Sequence, residues 1–231
     1  MNTNLIILAG GMSSRMKRPI DFGKISNIEN EESNNRSKSL ISYGEENRPI
    51  LDYLLYNAKK AGYKSIYIVI NKKGKLFYDF YGKNISNNIF RGLKISFIIQ
   101  NIPPNRIKPL GTADALYQAL EQYPSLKEEQ FTVCNSDNLY STNALKLLSK
   151  TKHDNAFISY NREYLKFSLE KILSFAVMEI DKKNYLKSII EKPSVAETEK
   201  IRSNDSIIRV SMNIFKLNGD NIYSFLKNCP I

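Results

Sequence analysis

The chain of 231 residues is 42% hydrophobic, 11% aromatic and 25% charged, enough to build a buried core and too apolar for a disordered chain. Its formal net charge of +11 comes from lysines scattered through nearly every segment, with no basic helical stripe interleaved with aromatics. That distribution argues against a nucleic-acid partner and for solubility and attraction of small polyanions. Two distant cysteines, Cys134 and Cys229, and the lone His153 leave no disulfide framework and no His-rich metal site.

The first predicted element is an apolar strand, Leu5–Ala9. The run is too short for a secretory leader, and no stretch approaches the ~20 apolar residues of a membrane span, so a cytoplasmic protein without a membrane partner is expected. The strand runs into Gly10-Gly11-Met12-Ser13-Ser14-Arg15. Paired glycines let the backbone turn tightly and bring N–H groups close to phosphate oxygens. The serines add hydroxyl donors, and Arg15 adds a planar, permanently charged fork. Gly-Gly after a strand is also an ordinary turn, so the loop needs company to mean more. Neither G-x-x-x-x-G-K-[ST] nor G-x-G-x-x-G occurs, so the P-loop and dinucleotide readings lose their main support.

Lys17–Ser37 is polar, has no apolar period and reads as a mobile loop. A helix is predicted from Pro49 at its first turn, stopping at Gly62, and a doubly buried strand follows at Ser65–Ile70. A second cycle adds a strand at Leu93–Ile99, a loop at Pro103-Pro104 and a helix over Thr112–Gln122. Next come a buried strand at Phe131–Cys134 and a helix capped by Ser141 or Thr142. Strands at Ala156–Tyr160, Phe175–Ile180, Leu186–Ile190 and Ile207–Phe215 then follow with fewer helices between them. The pattern predicts a doubly wound, mostly parallel α/β core over residues 1–150 and a mixed-sheet half over 151–231, within one continuous domain.

Open α/β sheets place ligands at the carboxyl ends of their strands, where three features of this chain collect: the Gly10-Gly11 loop, the loop before Gly111, and Asp137. Asp137 follows four apolar strand residues; a carboxylate there can hold Mg²⁺ with substrate phosphates, or serve as a turn or cap residue. Gly111-Thr112-Ala113 offers small side chains at a helix start, room for a flat base or a sugar, with Thr112 as a candidate cap. Glu191-Lys192-Pro193 closes a strand with a charged pair suited to a sugar hydroxyl and a phosphate, and Lys38 follows the polar loop as a second candidate cation.

In their order and spacing these pieces resemble the nucleotidyltransferase family that joins an NTP to a sugar 1-phosphate, the nucleoside-diphosphate-sugar pyrophosphorylases. The family's opening signature looks like L-A-G-G-x-[GS]-[TS]-R-[ML], and Leu8–Met16 reads LAGGMSSRM. Gly111–Ala115 matches its G-T-A-x-A helix start, Phe131–Asn138 its strand with a terminal Asp, and Glu191–Pro193 its E-K-P. A closer similarity is to bacterial members with NRxKPxGTAxA, NxDxxY and VSMN patterns, here at Asn105–Ala115, Asn135–Tyr140 and Val210–Asn213.

The resemblance implies a Rossmann-like, GT-A-like sheet and Mg²⁺-dependent nucleotidyl transfer from an NTP to a phosphorylated acceptor. Leu8, Ala9, Gly10, Gly11, Gly111 and Thr112 would hold the base and ribose. Ser13 and Arg15 would clasp the triphosphate, Lys38 and Lys192 the phosphates. Asp137 would carry Mg²⁺, and Glu191 and Asn213 would bind the acceptor. The family's second metal-binding residue is not identified before Ile231, and a further C-terminal portion and a homo-oligomer are left open. A transferase acting on phosphocholine or another non-sugar phosphate, and a nucleotide-binding regulatory subunit of the same fold, remain the alternatives.

Overall fold

The computed structural model describes residues 2–11, 37–72, 74–201 and 207–229. Ser13, Arg15 and nearly all of the polar stretch expected to be mobile lie outside the described residues. The chain divides into two compact units, Met1–Ala156 with Phe215–Ile231, and Phe157–Ile214.

In the larger unit, five strands lie in the order β7-β1-β4-β6-β5. β1 (Asn4–Leu8) is central and parallel to both β4 (Ser65–Asn71) and β7 (Gln130–Asn135), with Leu5 opposite Ile66 on one side and Thr132 on the other. β6 (Leu93–Gln100) continues the parallel set beside β4, and β5 (Asn88–Phe90) closes the edge antiparallel to β6. Leu5, Ile6 and Ile7 are wholly buried, as a parallel strand covered on both faces requires.

Helices supply that cover. α1 (Ile50–Ala61) buries Leu51, Leu54, Leu55, Ala58 and Ala61, the spacing of one helical face, and packs against α4 (Thr142–Lys150). α3 (Thr112–Gln122) sets Ala115, Leu116, Ala119 and Leu120 against Ile6, Val69, Ile98, Phe131 and Val133. Ile222, Tyr223 and Leu226 of α7 (Gly219–Lys227) pack on the same cluster. Short elements fill the connections: β2 (Ser42–Tyr43) pairs with β3 (Arg48–Pro49), and α2 (Lys75–Tyr81) precedes β5.

From β1 the chain builds outward through β4 and β6, then returns to place β7 on the opposite side of β1. The carboxyl ends of β1 and β7 therefore flank the point where the winding reverses, where such sheets open a crevice.

In the smaller unit the strand order is β10-β9-β11, with β8 (Ala156–Asn161) also paired to β11 (Arg209–Asn218). β9 (Val177–Ile180) is antiparallel to β10 (Leu186–Ile190) and to β11. Val177, Ile208 and Val210 form its core with Tyr160, Leu165, Phe175 and Ile201. Two short helices complete it, α5 (Leu169–Leu173) capped by Ser168, and α6 (Val195–Lys200) with a Ser194–Glu197 capping box.

Candidate functional site

The carboxyl ends of the parallel strands open into a cleft of about 340 Å³, within the size range of small-molecule sites. Leu8, Ala9, Gly10, Gly11, Lys38, Gly111, Thr112 and Asp137 all line it, so the expected elements of the larger unit converge. The ladder carries them there: Ala9 N–H donates to the Val69 carbonyl at 2.8 Å, and Ser136 N–H donates to the Leu8 carbonyl at 3.1 Å. The chain thus stays extended past β1 and β7 before turning, which brings the glycine pair and Asp137 to one edge.

Gly10 meets its neighbour closely. A β-carbon there would stand 2.7 Å from Gln100 Oε1, closer than real contacts allow, so glycine makes room for this amide. Gln100 ends β6, is 5% exposed and lines the cleft. Its Nε2 donates to Asp114 Oδ2 at 3.0 Å and, more weakly, to the Gly111 carbonyl at 3.4 Å. Sequence reasoning missed Gln100. The available signal was a polar residue closing an otherwise apolar strand at the same sheet edge as Gly10 and Asp137.

Gly111 is the N-cap of α3 at φ 133°, ψ −164°, a backbone conformation reserved essentially for glycine. Thr112, expected as a candidate cap, is instead the first helical residue, and no side chain caps this helix. The correction has a steric cause, since a β-branched residue cannot adopt the backbone that the cap position holds. The helix start faces the cleft with its first N–H groups uncapped by any side chain, a disposition that suits an anion or a polar ring edge.

Asp137 follows β7 in a clamped loop. Buried Tyr140 accepts from the Asn135 N–H at 3.3 Å and from Asn138 Nδ2 at 3.2 Å, while Asn57 of α1 donates to the Tyr140 carbonyl at 2.9 Å. Lys38 opens a short 3-10 turn, Lys38–Leu40, anchored by buried Ser39 and Leu40. Its Nζ lies 3.8 Å from Asp137 Oδ2, with the two side chains 36% and 43% exposed. A pair this open contributes no more than about 1 kcal/mol, so its charges can turn to a ligand at little cost.

The remaining expected residues belong to the smaller unit. Glu191 and Lys192 are exposed just beyond β10, and Asn213 is exposed on β11. Lys192 and Asn213 hold φ of 47° and 54°, the left-handed region that non-glycine residues seldom occupy. Among the described residues no group of three or more His, Cys, Asp or Glu side chains could hold a metal, and no helix is long and apolar enough to cross a membrane.

Comparison with known proteins follows the same outline. Residues 4–218 match the sequence model of the Nucleotidyl transferase family. The glucose-1-phosphate adenylyltransferase 1 of Vibrio vulnificus is 26% identical over 233 residues, 96% of this chain and 50% of the relative. The glucose-1-phosphate adenylyltransferase of Photobacterium profundum is 24% identical over 234 residues, with 96% and 50% covered. The chain spans about half the length of these relatives. Its fold is similar to that of a UDP-glucose pyrophosphorylase solved with UDP-glucose, with a TM-score of 0.66 at 15% identity over 99% of this chain and 80% of that one. The doubly wound, GT-A-like class expected from the sequence is therefore the observed one. The glycine pair, the G-T-A helix start and Asp137 just beyond β7 all fall within the matched span, and with it this chain belongs to the nucleotidyl transferase family.

Proposed function

We propose that the protein transfers a nucleotidyl group from an NTP to a phosphorylated acceptor, a sugar 1-phosphate, releasing pyrophosphate and a nucleoside-diphosphate sugar. One observation carries this reading: a glycine-lined cleft at the winding reversal ends at a lysine and a carboxylate 3.8 Å apart. The relatives named glucose-1-phosphate adenylyltransferase support the sugar 1-phosphate as acceptor.

In this reading Gly10, Gly11, Gly111 and Thr112 let the base and ribose lie against backbone, and Gln100 meets the base edge. Ser13 and Arg15 clasp the triphosphate, and Lys38 neutralises its charge. Lys192 takes a phosphate, and Glu191 and Asn213 take the acceptor. An acceptor phosphate oxygen attacks the α-phosphorus in line; the new P–O bond forms as the bond to the β-phosphate bridge breaks, and pyrophosphate departs. The nucleophile is already anionic near neutral pH, so no protein base is needed. Catalysis is positioning and charge stabilisation.

The donor set suits Mg²⁺: Asp137 gives one half-exposed carboxylate beside a cleft roomy enough for phosphate oxygens and water, which this ion prefers as its remaining ligands. Held there, Mg²⁺ would neutralise charge on the phosphate oxygens. The test is pyrophosphate release from the protein incubated with Mg²⁺, each common NTP and a panel of hexose 1-phosphates and phosphocholine. The expected result is release dependent on a hexose 1-phosphate, falling on the order of 10²-fold or more in Asp137→Ala. Nucleotide binding without release under every pairing overturns the transferase reading in favour of a regulatory role.

A further inference from the structure

We propose that Asp114 is a positioning residue that fixes the Gln100 side-chain amide with its carbonyl oxygen toward the ligand, so that the site demands a hydrogen-bond donor on the edge of the nucleobase. The inference rests on the nucleotidyl-transfer reading and deepens it.

The orientation follows from what each group can donate. Gln118 on α3 is gripped at both ends by one backbone unit: its Oε1 accepts from Asn101 N–H at 2.7 Å, and its Nε2 donates to the Asn101 carbonyl at 3.0 Å. That pair of hydrogen bonds admits one amide orientation, and it turns Nε2 onto both Asp114 carboxylate oxygens at 3.0 Å. A carboxylate only accepts, so the Gln100 atom 3.0 Å from Asp114 Oδ2 must be the NH₂ group. The Gly111 carbonyl, on the same side of that amide, also accepts from it. Gln100 Oε1 is thereby turned the other way, over Gly10, where no β-carbon stands in its path. It accepts no hydrogen bond from a described residue, and Gln100 lines the cleft. A flipped amide would face NH₂ to the ligand and set a carbonyl oxygen against the Asp114 carboxylate. Asp114 sits in the first turn of α3, close to its uncapped start, on the same helix as Gln118.

The test measures binding to the full chain of ATP, UTP, dTTP, GTP and CTP, of the tightest binder's analogue with its base-edge N–H groups methylated, and of inorganic tripolyphosphate. The wild type should prefer the parent nucleotide over the methylated analogue by about tenfold or more. Asp114→Ala should erase most of that ratio and leave tripolyphosphate affinity unchanged. Gln100→Ala should erase it equally, and the double variant should lose nothing further. If Asp114→Ala fails to fold, Asp114→Leu serves: it keeps the side-chain volume and offers no acceptor to the Gln100 amide, so the ratio should still fall. Nucleotide binding with an unaltered ratio in a folded Asp114 variant, or additive effects of the two substitutions, overturns the positioning role alone. Failure of all five nucleotides to bind overturns that role together with the transferase reading.

Discussion

At residue scale, the glycine after β1 and the glutamine that ends β6 are one device built from distant parts of the chain. The side chain that Gly10 lacks is the space the Gln100 carbonyl oxygen uses, 2.7 Å from where a β-carbon would be. Gly10→Ala should therefore push the amide off its position while leaving the fold intact, since the displaced atom is the tip of a side chain. We expect NTP affinity to fall about tenfold with tripolyphosphate affinity unchanged, measured by calorimetry. A stability loss of no more than about 1–3 kcal/mol should accompany it. Unchanged NTP affinity would mean that this oxygen does not face the base. Gly10, Gly111 and Asp137 were legible in the sequence because each is marked by its own neighbours, small residues or an abrupt polar stop after an apolar run. Gln100 was not, because what makes it functional is an amide orientation set by Asp114, fourteen residues on.

At element scale, the termini of the helices decide local geometry, and the sequence revealed some of them. Ser141 caps α4, its Oγ accepting from Ala144 N–H at 3.2 Å, as expected. The other end of that helix holds a feature with no local signature. Lys216 on β11 is 1% exposed, and its Nζ donates at 2.8 Å to the carbonyls of Thr151, the C-cap of α4, and His153. A cation at a helix C-terminus satisfies orphan carbonyls and is favoured by the dipole, which is how β11 can bury an ammonium. Lys216→Met should leave those carbonyls unpaired and cost about 1–3 kcal/mol in urea unfolding. Burial holds the Lys216 ammonium below the usual lysine range, with Asp154 partly offsetting it. The unfolded chain therefore binds more protons than the folded one between the lowered value and the ordinary one, and folding stability gains as pH rises through that window. The stability gap between the wild type and Lys216→Met should accordingly widen with rising alkaline pH. A gap independent of pH would contradict the buried-ammonium account.

At the scale of the whole molecule, the parallel strands made most of the site legible before any coordinates: loops that follow parallel strands all leave from one edge, so motifs far apart in sequence must meet there. β1 runs parallel to both of its neighbours, and the glycine loop, Gly111 and Asp137 line one cleft. The return of the chain to the larger unit from Phe215 onward was not legible, because β11 crosses from one unit to the other as an unbroken ten-residue strand. The central claim is that the cleft at the carboxyl ends of β1 and β7 is where the nucleotide sits. A crystal structure of the protein with Mg²⁺ and its preferred NTP tests it most directly. The account predicts the base against Gly10 and Gly111 with an N–H of its edge on Gln100 Oε1, and the phosphates toward Lys38 and Asp137. A nucleotide bound at any other surface, with this cleft empty, would contradict it.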